Sequence, residues 1–394
     1  MNELMKKERK RIFFLLYSMN VGGVEKSLVN LIQILPRDKF DIHIGLVHPE
    51  GGFLKNLPSD VMIHEVSEIA EHWEELKNPP LKTIRMFVAS GSWIKAMAAL
   101  WIYIVCKLRG SFFWWVDYVL KDTKGILDEF DIAVAYAGPT TDIDYYISKK
   151  ICARKKIGWI HFDVSRFGID EGTVKKLYKQ YERVFIVSEV GKMIFDKKFP
   201  EYKDKTAIFH NVVLQSQIVE MARDGSTFED GFTGKRILTV GRVSQEKGQI
   251  VAIQALKLLL DKYHIRWYFI GDGSDMVHCH DEAKRLGVAE QVVFLGTKTN
   301  PYAYMRDCDI YVQPSRHEGF CITLAEALCF GNPIVATDFT GAKEQLKERE
   351  NGFVVAMSAE TIASGIEKAL SVSKTAKVRE DKNLDVRRLL SLLD

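Results

Sequence analysis

The chain has 394 residues, 47% of them hydrophobic and 27% charged, with a net charge of +3. That balance excludes a disordered or polyelectrolyte protein, gives no footprint for nucleic acid, and suggests two or three domains. Six cysteines (106, 152, 279, 308, 321 and 329) form no CxxC pair and have no histidine partner at zinc spacing, so they read as reduced, mostly buried thiols of a cytoplasmic protein.

In chain order the first signal is "RIFFLLYS", a continuous apolar run like a strand buried on both faces. The basic start before it imitates a signal peptide. The run is short, no small-residue cleavage site follows, and Gly22 and Gly23 suit a strand-to-helix turn. "EKSLVNLIQIL" then has helical spacing, and "FDIHIGLVH", "FDIAVAYAG", "KKIGWIH" and "RVFIVS" read as further strands separated by helical stretches such as "TDIDYYISKKI". Between them, "WIKAMAALWIYIVC" is too short to span a membrane and is interrupted by Lys95. With "KLRGSFFWWVDYVLK" it reads either as a core helix pair or as a surface at 93–120 that leans on a bilayer.

The second half repeats the theme. "KRILTVGRV", "RWYFIGDG", "QVVFLG", "DIYVQPS" and "PIVATD" are strands ending in Gly, Pro or Ser turns, and "GQIVAIQALKLLLDKY" is an amphipathic helix. The alternation predicts an α/β chain with two Rossmann-like, doubly wound parallel-sheet domains facing a cleft. The expected boundaries are 1–210, 211–375 and a charged helical tail at 376–394, with a hinge near 211–235.

Two constellations carry chemistry. In "TVGRVSQEKGQ" a strand ends at Gly241, and Arg242 and Lys247 lie in the turn before a helix, where two fixed cations suit a diphosphate. In "RHEGFCITLAEALCFGNPIVATD" a turn through Glu318 and Gly319 leads into a helix expected from Cys321 or Ile322 to Phe330. The amides of Phe320, Cys321 and Ile322 would form an anion site at its start. Glu326 lies about one turn inside, in an apolar surround where an idle carboxylate would be costly. Carboxylates on either side of an anion site read sugar hydroxyls well.

Glu318-x7-Glu326 with "EGF" at its front, "PS" before it and "GNPIVATD" after it resembles the retaining glycosyltransferases of family 4, which have the GT-B fold. "GRVSQEKG", "IGDGSD", "NPYAYMRDCDIYVQPS", "GGVEKSLVNL" and "WIHFD" extend the likeness over most of the chain, most densely from about 236 to 345. By matching position, the resemblance implies that Glu326 binds the ribose and Glu318 the donor sugar. Arg242 and Lys247 would stabilise the diphosphate with backbone amides at Cys321 and Ile322. Gly22, Gly23 and Gly241 would let backbone approach the donor, and His161 would sit near the transferred sugar. The family transfers sugar from a nucleotide-sugar, expected here to be UDP-linked, without metal or cofactor. The expected acceptor is a glycan, polyprenyl-linked and met at the inner membrane face, in cell-surface polysaccharide synthesis.

Three other readings stay open. "DID" at Asp142–Asp144 and "DCD" at Asp307–Asp309 match the metal-binding pair of other glycosyltransferases, although the first reads as a helix N-terminal cap. A sugar-nucleotide epimerase would share the fold, and so would a catalytically silent binding subunit.

Overall fold

The computed structural model describes residues 9–162, 164, 168–375, 389 and 391. The expected helical tail at 376–394 and Asp163 of "WIHFD" lie outside the described residues, apart from 389 and 391. The described chain divides into two compact units. One runs to Val187 and includes Lys192–His210; the other holds Ser188–Gly191 and the chain from Asn211 to Thr375.

The first unit has seven strands: β1 (Lys10–Leu16), β2 (Phe40–Leu46), β3 (Met62–Glu65), β4 (Glu129–Ala135), β5 (Cys152–Ile160), β6 (Arg183–Ile186) and β7 (Thr206–Ile208). They pair in the order β3-β2-β1-β4-β5-β6-β7, all parallel. The second unit has β8 (Lys235–Val240), β9 (Ile265–Ile270), β10 (Val292–Phe294), β11 (Ile310–Gln313), β12 (Ile334–Thr337) and β13 (Gly352–Val355), in the order β10-β9-β8-β11-β12-β13, again all parallel. Each sheet therefore reverses its winding once, between β1 and β4 and between β8 and β11. Such reversals leave a crevice at the strand carboxyl ends.

The central strands form where the sequence offers unbroken apolar runs: five consecutive residues of β1, Ile12–Leu16, are buried. Helices pack on these faces through residues at helical spacing. Leu28, Leu31 and Ile32 turn inward on the helix Gly23–Ile34, and Ala252, Leu256 and Leu259 on the helix Gln249–Leu259. The crossover from β3 to β4 is a run of five helices. Among them Pro80–Ala89, Trp93–Arg109 and Phe113–Leu120 enclose a small core of Ala99, Cys106 and Trp115. The stretch at 93–120 is thus a helix pair with a buried inner side. No described helix is long and apolar enough to cross a membrane.

The "DID" carboxylates do not cap their helix. Thr140 holds the N-cap position of Thr141–Lys149 without a side-chain cap bond. Asp142 and Asp144 point inward because their partners are there: Lys77 Nζ meets Asp142 at 2.8 Å, and the Tyr181 hydroxyl donates to Asp144 at 2.5 Å. Burial raises the Asp144 pKa to about 7, against the Tyr181 hydrogen bond, which lowers it. A raised carboxyl pKa means that the folded chain holds this proton more tightly than the unfolded chain does. Stability from the neutral acid is present at low pH and is lost as pH rises from about 4 to about 7, on the order of 4 kcal/mol at most. Asp144→Asn keeps a neutral acceptor for Tyr181. Its urea midpoint is expected to match the native one near pH 4 and to exceed it by pH 8. A gap that stays constant across that range contradicts the assignment.

Candidate functional site

The loops at the carboxyl ends of β8 and β11 carry Arg242, Lys247 and Glu318. β8 ends at Val240, and the chain passes through Gly241, Arg242 and a short turn, Gln245–Lys247, before Gly248 starts the helix Gln249–Leu259. Gly248 has φ +73°, and a Cβ there would lie 2.0 Å from the Pro314 carbonyl oxygen. Only glycine allows the loop after β8 to lie this close to the loop after β11.

Between those loops stands an ion pair. Lys247 Nζ is 2.5 Å from Glu318 Oε1, and the Ser315 hydroxyl donates to the same oxygen at 2.8 Å. Burial alone would lower the Lys247 pKa; the adjacent Glu318 carboxylate outweighs it and holds the ammonium above its ordinary value. Both partners use Oε1, and Oε2 of Glu318 accepts nothing among the described residues. Arg242 is exposed, and its guanidinium has no partner among the described residues. Its position is fixed through the backbone, where its carbonyl accepts from Gln249 Nε2 at 2.9 Å.

The polar chain continues inward. Gln313 Nε2 donates to Ser315 at 2.9 Å, and Gln313 Oε1 accepts from the Tyr311 hydroxyl at 2.7 Å and the Thr323 hydroxyl at 3.2 Å. Thr323 lies in the first turn of the helix Ile322–Ala327. That helix is shorter than the sequence suggests. After Ala327 the bonds tighten to Cys329 N–H on Glu326 and Phe330 N–H on Ala327, three residues back, so the segment closes as turns before Gly331. Cys321 precedes the helix at φ +68°, the one positive-φ residue other than glycine among the described residues. Such a backbone costs about 1–3 kcal/mol and is held by its surroundings. Here Phe320, whose carbonyl accepts from Gln345, is buried beside it, and Gly319 precedes both. Burial, and then Glu318, push the Cys321 thiol pKa up, so it is a neutral group at the site. Glu326 is buried, and the Tyr302 hydroxyl donates to it at 2.8 Å.

In the first unit Gly22 caps the helix that Gly23 begins, after β1. Neither glycine has positive φ. A Cβ at Gly23 would meet nothing within 4 Å, and one at Gly22 would meet only the flexible Glu25 side chain. The chain's own packing therefore gives no reason for glycine at 23. His161 follows β5, buried, with its ring 4.6 Å from Tyr136 and parallel to Trp159 at 5.9 Å. The Tyr136 hydroxyl donates to Ser27 at 2.9 Å, linking the end of β4 to the helix that starts at Gly23. So the first unit gathers Gly22, Gly23 and His161 around its own reversal between β1 and β4.

The sequence reading missed Tyr302, Ser315, Gln313 and Tyr136. One signal was available: Tyr311, Gln313 and Ser315, on β11 and just past its end, recur at strand period, a polar row in an otherwise apolar segment. It also missed Lys77, whose contact with Asp142 is joined by the Tyr17 hydroxyl at the end of β1 (2.7 Å to Asp142, 3.0 Å from Lys77). The "DCD" carboxylates are likewise taken: Arg306 grips Asp307 with two bonds at 2.6 and 2.8 Å, and Asp309 holds Lys235 at 2.9 Å.

Residues 229–383 match the family described as glycosyl transferases group 1. An uncharacterized glycosyltransferase of Methanocaldococcus jannaschii is 27% identical over 180 residues, 44% of each chain, so this chain spans less than half of that relative. The N-acetylgalactosamine-N,N'-diacetylbacillosaminyl-diphospho-undecaprenol 4-alpha-N-acetylgalactosaminyltransferase of Campylobacter jejuni is 23% identical over 375 residues, 95% of this chain and 93% of its own. Anabaena HepE, solved with UDP and glucose, superposes with a TM-score of 0.61 at 18% identity, over 92% of this chain and 90% of its own. Residues 229–383 are thus similar to the glycosyl transferases group 1 family, in a chain with the GT-B fold.

Proposed function

We propose that this chain transfers a sugar from a nucleotide-sugar, UDP-linked, to a lipid-linked glycan, with retention of anomeric configuration and without a metal ion. The observation that carries the reading is the set of unused valences at the carboxyl ends of β8 and β11. Arg242 and the remaining donors of Lys247 offer positive charge, and Glu318 Oε2 offers an acceptor a few bonds away. Glu326, oriented by Tyr302, offers a second carboxylate one turn along.

Cleavage of the sugar–phosphate bond leaves negative charge on the diphosphate. Cations already fixed by Glu318 and by the backbone need no reorganisation to stabilise that charge, which favours the transition state over the bound donor. Glu318 would accept hydroxyls of the sugar, and Glu326 those of the ribose. The attack would be on the same face as the leaving group, with a leaving-group phosphate oxygen taking the acceptor's proton. UDP is supported by the HepE structure with UDP and glucose, and a lipid-linked acceptor by the diphospho-undecaprenol in the Campylobacter enzyme's name. Such an acceptor places the work at the inner face of a membrane, in cell-surface polysaccharide synthesis.

Nucleotide release from UDP-, GDP- and ADP-sugars, with chelator present and a polyprenyl-diphosphate glycan as acceptor, tests this. Release from a UDP-sugar that survives chelator and falls at least about 100-fold in Glu326→Ala is expected. Release abolished by chelator contradicts the metal-free mechanism. A changed sugar nucleotide formed without acceptor indicates an epimerase, and no turnover with any pair indicates a binding subunit.

Gly23→Ala gives an independent check. It is expected to leave the unfolding midpoint unchanged or slightly raised, since alanine favours a helix start and meets nothing, while lowering turnover about tenfold or more. Unchanged turnover would show that the glycine at 23 has no part in the reaction.

A further inference from the structure

The helix Trp93–Arg109 buries only one side. Ala96, Ala99 and Cys106 turn inward. Outward stand Trp93 (64% exposed), Ile94 (87%), Met97 (74%), Trp101 (66%), Ile104 and Leu108 (82%). At 100° per residue these six fall within a sector of about 100°, an unbroken apolar stripe along the helix. Soluble surfaces scatter such residues singly; a contiguous stripe marks a surface that something covers.

Charge decides what covers it. Residues 79–116 contain five cations, Lys82, Arg85, Lys95, Lys107 and Arg109, and no carboxylate, in a chain with 55 Lys and Arg against 52 Asp and Glu. All five are exposed. On the helix, Lys107 borders the stripe on one side, and Arg109 and Lys95 lie beyond its other edge, so their long stems can reach along the apolar surface while the charges stay in water. A second copy of the chain is a poor fit: a two-fold contact sets this patch against itself, and the same five cations would face one another. A membrane span is ruled out by helix length and hydropathy among the described residues. Tryptophans within an apolar stripe and cations along its flanks match the boundary between acyl chains and anionic headgroups.

We propose that the helix Trp93–Arg109, with the flanking helix Pro80–Ala89, is a docking face for an anionic lipid bilayer, lying in the interface plane with the Trp93–Leu108 stripe inserted. The face belongs wholly to the first unit and does not depend on the donor chemistry proposed above.

The test is flotation of the full chain with vesicles of phosphatidylcholine alone and of phosphatidylcholine with phosphatidylglycerol, without any nucleotide-sugar. Binding to the anionic vesicles is expected, weaker on neutral ones and falling as salt rises. Trp93→Ser with Trp101→Ser should lower binding at least about tenfold, and so should Lys95→Gln with Lys107→Gln and Arg109→Gln, each with an unchanged melting curve. Equal binding to neutral and anionic vesicles, or binding untouched by either set, overturns the proposal. So does an absence of flotation, or a native dimer that the tryptophan variant turns into a monomer, which would make the stripe an interface between copies. Because no donor is present, failure here leaves the transferase reading standing, and loss of turnover in Glu326→Ala leaves this one standing.

Discussion

Everything at the second unit's reversal depends on one ion pair. A lysine brought partly out of water at a strand end loses solvation, and without a counter-charge it would either turn outward or give up its proton. Glu318 prevents both, and because it comes from the loop after β11 while Lys247 comes from the loop after β8, the pair also ties the two loops flanking the crevice. The close approach of Gly248 to Pro314 makes the tie geometrically possible. Ser315 fixes the carboxylate, Gln313 fixes Ser315, and Thr323 joins that row to the first turn of the short helix bearing Glu326. The left-handed Cys321 is the bend this arrangement requires.

The two units apply the same rule with different chemistry. Each reverses its strand order once, and each collects candidate site residues where it does. The second unit's reversal is ionic, with the exposed Arg242 guanidinium beside the Lys247–Glu318 pair, suited to phosphate. The first unit's is aromatic and hydroxylic: Tyr136 between Ser27 and His161, and Tyr17 between Lys77 and Asp142. Two glycines there need no positive φ and collide with nothing rigid, the pattern expected where close approach by something other than the chain itself sets the residue.

What the sequence disclosed follows from how strongly each element must bury itself. Central strands such as β1 and β8 were legible because burial on both faces demands unbroken apolar runs. The strands not foreseen, β3, β7 and β13, are all edges, three or four residues long and partly exposed, so little pattern is imposed on them. Glu326 was legible because a carboxylate in "ITLAEAL" is out of place. Tyr302, its partner 24 residues away, was not, since nothing local marks a tyrosine as a donor to a distant carboxylate. "DID" was misread as a cap because local rules favour acids at a helix start; the partners that hold Asp142 and Asp144 come from residues 17, 77 and 181, distant in sequence. The outward stripe of Trp93–Arg109 has the same ambiguity, since periodicity shows an apolar face without showing what covers it.

The central claim is that Lys247, held by Glu318, stands ready for the diphosphate of a nucleotide-sugar. Calorimetric titration with UDP and UMP, on the native chain and on Lys247→Met, tests it most directly. The native chain should bind UDP more tightly than UMP. Lys247→Met should lose about 1.5–3 kcal/mol of UDP affinity, the worth of a charge-assisted contact, and most of the advantage of UDP over UMP. If Lys247→Met binds UDP as tightly as the native chain does, or keeps the full difference between the two nucleotides, the ion pair is structural and the diphosphate lies elsewhere.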